Sequence, residues 1–170
     1  MYKIAGNEVL HPLLDLPEPD TTPLPFILAS LSRGMLGLEY RASSQWCLEN
    51  HFSMEASTDL YVLLQFQIPR AHYLGPPNED LLYLGGGHPL QERGLEPYKF
   101  VDVSPSPWIA QLELGNRIHP NHSIERFACL HHYIFPFHEE TFECIAQGYA
   151  VSVSRKAHLP EVPFFEKTIP

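Results

Sequence analysis

Five histidines, His119, His122, His131, His132 and His138, fall within twenty residues, and Glu139, Glu140, Glu143 and Cys144 stand beside them. Imidazole, carboxylate and thiolate are the ligands that Zn²⁺ takes, and three of them leave a fourth position open for water. The turn His119-Pro-Asn-His122 can bring two rings together. A metal centre built from this stretch would use His119, His122, His131 and His138, and would suit a metal-dependent hydrolase or a metal-binding protein. Adjacent residues on a strand point to opposite faces, so at most one of His131 and His132 can join such a centre. The plain alternative is a set of hydrogen-bonded histidines on half-buried strands and loops.

The same stretch offers acid–base chemistry. Glu139, Glu140 and Glu143 lie near His138, and a carboxylate beside an imidazole is a proton-transfer pair. Glu139 and Glu140 fall at an expected turn, where charges are normally solvated. Glu143 sits inside a strand between Phe142 and Cys144. Alternation aims it away from both, and the expectation is a solvent face shared with Thr141 and Gln147. Tyr133, Phe135 and Phe137, with Phe142, either line a cavity for an apolar ligand or fill an aromatic core. Trp108 is expected as a core residue or an interface anchor. Trp108, Tyr133, Phe135 and Glu143 are accordingly the candidate ligand or interface residues.

Named catalytic motifs are absent from the sequence. Gly85-Gly86-Gly87 runs into His88-Pro89-Leu90, which fits neither a phosphate loop nor a dinucleotide fingerprint. There is no GxSxG elbow. His138-Glu139-Glu140-Thr141 opens like HExxH, but residue 142 is Phe.

The elements that must position these residues are short. Seventeen prolines in 170 residues are about twice the usual share, and proline is excluded from helix interiors and central strands. A mainly β chain of α+β type follows, its antiparallel sheet forming a sandwich or a partly open barrel with one or two short helices. The strand signals are 38–42, 46–52, a central strand within 59–68, a short strand at 81–84, and 98–103. A long antiparallel hairpin is expected over 130–154, with His131, Tyr133, Phe135 and Phe137 on one face and His132, Ile134 and His138 on the other. Pro136 suggests an edge position or a bulge. Residues 26–36 read as a short helix ended by Gly37. A second helix is expected over 107–115, capped by Ser106 with Pro107 in its first turn. The run 16–25 is a Pro-rich surface loop and 157–170 an extended arm. The whole, 1–170, is expected to form a single globular domain.

Composition bounds the function classes. Net charge is −9 and the basic residues are scattered, which disfavours nucleic acid as a partner. The expected partner is another protein, of basic character. No apolar run approaches the roughly 20 residues of a membrane span, and the start of the chain lacks the apolar core of a secretion signal. Cys47, Cys129 and Cys144 form no CxxC pair, and each is expected as a small buried apolar residue in a reducing, cytoplasmic setting. The favoured expectation is therefore a non-catalytic protein-binding module, such as an immunity- or antitoxin-like inhibitor of a basic partner. The metal-dependent hydrolase and a β-barrel binder of a small apolar ligand stand as alternatives.

Overall fold

The computed structural model describes residues 2–21, 25–30, 34–50, 52 and 59–155. The expected arm over 157–170 and residues 22–24 of the Pro-rich loop lie outside these.

In the described residues nine strands form two antiparallel sheets. The first has the order β1 (Val9–Pro12), β6 (Val101–Ser104), β7 (His131–Pro136), β8 (Thr141–Ala146), β5 (Ala71–Gly75). The second has the order β2 (Phe26–Ser30), β3 (Met35–Arg41), β4 (Tyr61–Gln67), β9 (Gly148–Ser154). Period-two alternation packs them face to face. Leu38 and Tyr40 of β3 and Val62, Leu64 and Phe66 of β4 share one buried cluster with Tyr133, Phe135, Phe142 and Cys144 of the first sheet. The Phe66 ring lies 5.8 Å from Phe135 and 5.7 Å from Phe142. The fold is thus a mainly β sandwich, and the sheets do not close into a barrel.

The outer face of the first sheet is also covered. Val101, Val103 and Ile134 pack there against Tyr2 of the N-terminal segment, Leu82 of α2 (Glu79–Leu84), Leu90, Leu95 and Trp108 of α3 (Pro107–Asn116). Helix α3 begins as the sequence requires, with the Ser106 side chain accepting the Ile109 N–H at 3.1 Å. Two shorter helices, α1 (Ser44–Glu49) and α4 (Glu125–Ala128), complete the described elements of this type.

Several expectations are corrected. The described residues of 26–36 are strand rather than helix: β2 pairs with β3 from Phe26↔Glu39 to Ser30↔Met35, because the ladder that β3 makes with β4 overrides local helix propensity. The 46–52 strand is replaced by α1, which Ser43 caps by accepting the Trp46 N–H. The 81–84 strand is replaced by α2, capped in the same way by Asn78 at the Leu81 N–H. The hairpin's second arm is not one long strand. It breaks at Gln147, so that β8 pairs with β7 and β9 crosses to pair with β4. Pro136 is neither at an edge nor in a bulge but ends β7. Phe137 N–H bonds the Glu140 carbonyl at 2.9 Å and β6 pairs only as far as Ile134, so the missing N–H breaks no ladder bond. In the Pro-rich loop Leu16, Pro17 and Pro19 are buried rather than at the surface, and the Pro17 carbonyl accepts the Tyr40 hydroxyl at 2.8 Å. Cys47 and Cys144 are buried as expected, whereas Cys129 is exposed. Strand β4 is central, as its apolar run predicts, though Gln65 on its outer face is exposed.

Candidate functional site

The site is built on the covered outer face of the first sheet. Opposite Phe142 and Cys144, which face the core, β8 presents Thr141, Glu143 and Ile145 to the layer formed by the N-terminal segment, the 88–95 loop and α3. The expected solvent face is therefore buried: Glu143 is only 2% exposed and Thr141 fully covered. Thr141 donates to the Pro77 carbonyl at 2.8 Å.

Glu143 is the hub. Its Oε1 lies 3.0 Å from His88 Nε2, and its Oε2 lies 3.0 Å from His132 Nε2 and 2.8 Å from the Tyr2 hydroxyl, which donates to it. The remaining nitrogens fix the tautomers. His88 Nδ1 accepts the Leu90 N–H at 3.1 Å, so its proton is on Nε2 and points to Glu143. His132 Nδ1 meets Ser106 Oγ at 3.0 Å. That oxygen accepts the Ile109 N–H and can give its own hydrogen to His132, which places the His132 proton on Nε2. The polar side chains of this hub are then all paired, as buried groups require, whereas among the described residues His72 Nδ1 is buried without a partner.

Burial pushes the Glu143 carboxyl up, but the hydrogen bonds from His132 and His88 outweigh it and hold the pKa at about 2. Burial, and then the Glu143 charge, push the Tyr2 phenol well above its ordinary value, so it remains a donor. The carboxylate is ionised and the phenol is not.

Above this hub opens a cavity of about 530 Å³. Glu143 and Tyr2, both almost wholly buried, form its floor, and Trp108, Tyr73 and Leu112 its walls. Gln111, Gly115, Asn116 and His119 border it from the end of α3 and the turn that follows. Trp108 stacks on Tyr2 with ring centroids 6.0 Å apart and meets His132 edge-on.

The candidate metal ligands are not brought together. His131 Nδ1 pairs with Asp102 at 2.6 Å, His138 Nδ1 with Glu79 at 2.6 Å, and His122 Nε2 with Glu113 at 2.9 Å. His119 stands apart at the cavity rim. Among the described residues no group of three or more His, Cys, Asp or Glu side chains is placed to hold a metal ion. Tyr133 and Phe135 face the inter-sheet core, while Trp108 and Glu143 meet at the cavity.

Sequence reasoning missed Tyr2, Tyr73 and His88. His88 follows three glycines and precedes a proline, a context that reads as loop, and Tyr2 lies 141 positions from the carboxylate it binds. No local signal links either to Glu143.

Ser106, His132 and Glu143 follow the order of a hydrolytic triad, but the hydroxyl is committed to capping α3 and Ser106 does not border the cavity. A nucleophile must reach a substrate atom held close to it. No family model matches this chain, and neither the curated proteins nor the solved structures contain a match to it. No helix among the described residues is long and apolar enough to cross a membrane.

Proposed function

We propose that this chain is a non-catalytic protein-binding module that engages a basic partner through the face bearing the end of α3 and the Glu143 cavity. The carrying observation is the ionised Glu143 carboxylate bordering an aromatic-walled cavity. A buried charge of this kind favours a complementary cation over an apolar guest. The net charge of −9 adds long-range attraction for a partner of opposite sign. Leu114 and Ile118, 61% and 85% exposed, add apolar surface beside the rim. An immunity- or antitoxin-like inhibitor of a basic enzyme has this charge relationship with its target.

The test is affinity capture from a native lysate at low and at high salt, with identification of what is retained. The expected result is a specific partner with a basic isoelectric point whose association rate falls steeply with salt. Recovery only of acidic proteins, or a complex indifferent to salt, would overturn the reading.

A further inference from the structure

Glu143 accepts three hydrogen bonds, one on Oε1 and two on Oε2. An ionised carboxylate offers about four acceptor positions. One remains, on Oε1, in a residue that borders the cavity. None of the three donors needs to carry charge, because Leu90 N–H and Ser106 Oγ complete neutral rings at His88 and His132. With both rings in these neutral tautomers the hub keeps a buried negative charge that a cation from outside would complement.

The walls narrow the choice. A guanidinium is planar, weakly hydrated, and stacks on aromatic faces while donating along its edge. Tyr2, Tyr73 and Trp108 supply such rings and Glu143 the acceptor. An ammonium brings the charge as a compact, strongly hydrated point. An apolar guest would strip solvent from the carboxylate without replacing it. We infer that the cavity over Glu143 receives an arginine side chain. That the arginine belongs to a protein rests on the reading given under Proposed function; the chemistry rests on the cavity. Nearby cations limit the site to one such group: Arg70 and Arg126 border an adjoining cavity that shares Leu112 and Asn116.

The experiment uses the two tryptophans. Trp46→Phe leaves Trp108 as the sole indole, and its fluorescence is followed while N-acetyl-arginine amide is added, with N-acetyl-citrulline amide as the uncharged near-isostere. The expected result is saturable binding of the arginine compound, about tenfold or more tighter than the citrulline one. Gly115→Leu supplies the blocking variant. A Cβ at Gly115 meets no atom within 4 Å, and leucine favours a helix over glycine, so the variant folds while its side chain enters the cavity. It should lose roughly tenfold or more in affinity with an unchanged or higher melting temperature. Arg126→Gln should tighten binding about two- to threefold by removing a competing charge. Equal affinity for the two compounds, no saturable response, or binding that survives Gly115→Leu would overturn the assignment. A complex with a basic protein that is indifferent to Gly115→Leu would remove the arginine pocket and leave the partner reading standing. Arginine binding with no basic partner recovered would do the reverse.

Discussion

His132 Nε2 lies 3.0 Å from Glu143 Oε2 although the strand register sets neither opposite the other. Glu143 pairs with Ile134, and His132 with Ile145. The two are diagonal neighbours on one face of an antiparallel pair, a separation that long side chains span. The diagonal reach leaves Oε1 for His88, which comes from a different part of the chain. Two strands, a loop and the N-terminal segment are thereby tied to one carboxylate.

That tie should be visible in acid. The Glu143 carboxyl is held at about 2, against an ordinary 4.5. A depressed folded-state pKa contributes stability that is fully present above pH 4.5 and lost as pH falls toward about 2. The shift corresponds to about 3 kcal/mol. Glu143→Gln removes it and turns an amide N–H toward a histidine N–H, so a loss of about 3–5 kcal/mol is expected at neutral pH. Denaturant unfolding of both proteins should show the gap narrowing between about pH 5 and about pH 2.5. A gap constant across that range would remove the ionised carboxylate from the description.

Ser106 serves two partners at once. Alanine there should cost about 1 kcal/mol for the lost helix cap and about 1–3 kcal/mol more for leaving the buried His132 Nδ1 without a donor. Threonine, which keeps the hydroxyl, should recover most of this. Thermal or urea unfolding of the two variants decides it: an alanine variant within a few tenths of a kcal/mol of the parent would mean that the hydroxyl bridges nothing.

The legible parts of this fold were those carried by local pattern. Ser106-Pro107 announced α3, and alternation in 131–137 placed Tyr133, Phe135 and Phe137 on the core face. Alternation also put Glu143 opposite Phe142 and Cys144, but it could not say what lies over that face. The cover comes from Tyr2, Leu90 and Trp108, at sequence separations no periodicity records. The break at Gln147 was hidden for a related reason. Both halves of the segment are good strand sequence, and only the competition of β4 for β9 decides where the chain changes sheets.

The four candidate metal histidines each answer to a separate surrounding. His122, His131 and His138 face Glu113, Asp102 and Glu79, and His119 the cavity rim. Single alanine substitutions at His119, His131 and His138 should each change stability by no more than about 1 kcal/mol, the range of solvent-accessible pairs, His122→Ala should cost more because its partner Glu113 is buried, and the effects should add. Elemental analysis of protein purified without a metal-binding tag, together with melting in added Zn²⁺, checks this. About one equivalent of zinc, lost together with stability on substituting His119 or His122, would restore the metal centre.

His88 reaches Glu143 because the backbone before it can pass close to two side chains. A Cβ at Gly87 would sit 2.5 Å from Pro77 Cβ and 2.8 Å from Leu81 Cβ, well inside van der Waals contact. Neither is the end of a flexible chain, so the loop must move, and His88 is the next residue. Gly87→Ala should cost about 1–3 kcal/mol and weaken the His88–Glu143 bond. The neighbouring Gly86 is the control, since a Cβ there meets nothing within 4 Å, and Gly86→Ala should stay within about 0.5 kcal/mol of the parent. The ring N–H signals of His88 and His132 in NMR report the site directly. In Gly87→Ala the His88 N–H should exchange faster with solvent while that of His132, held from the opposite side, keeps its protection. Equal behaviour of the two glycine variants would show that the close approach at Gly87 does not position His88.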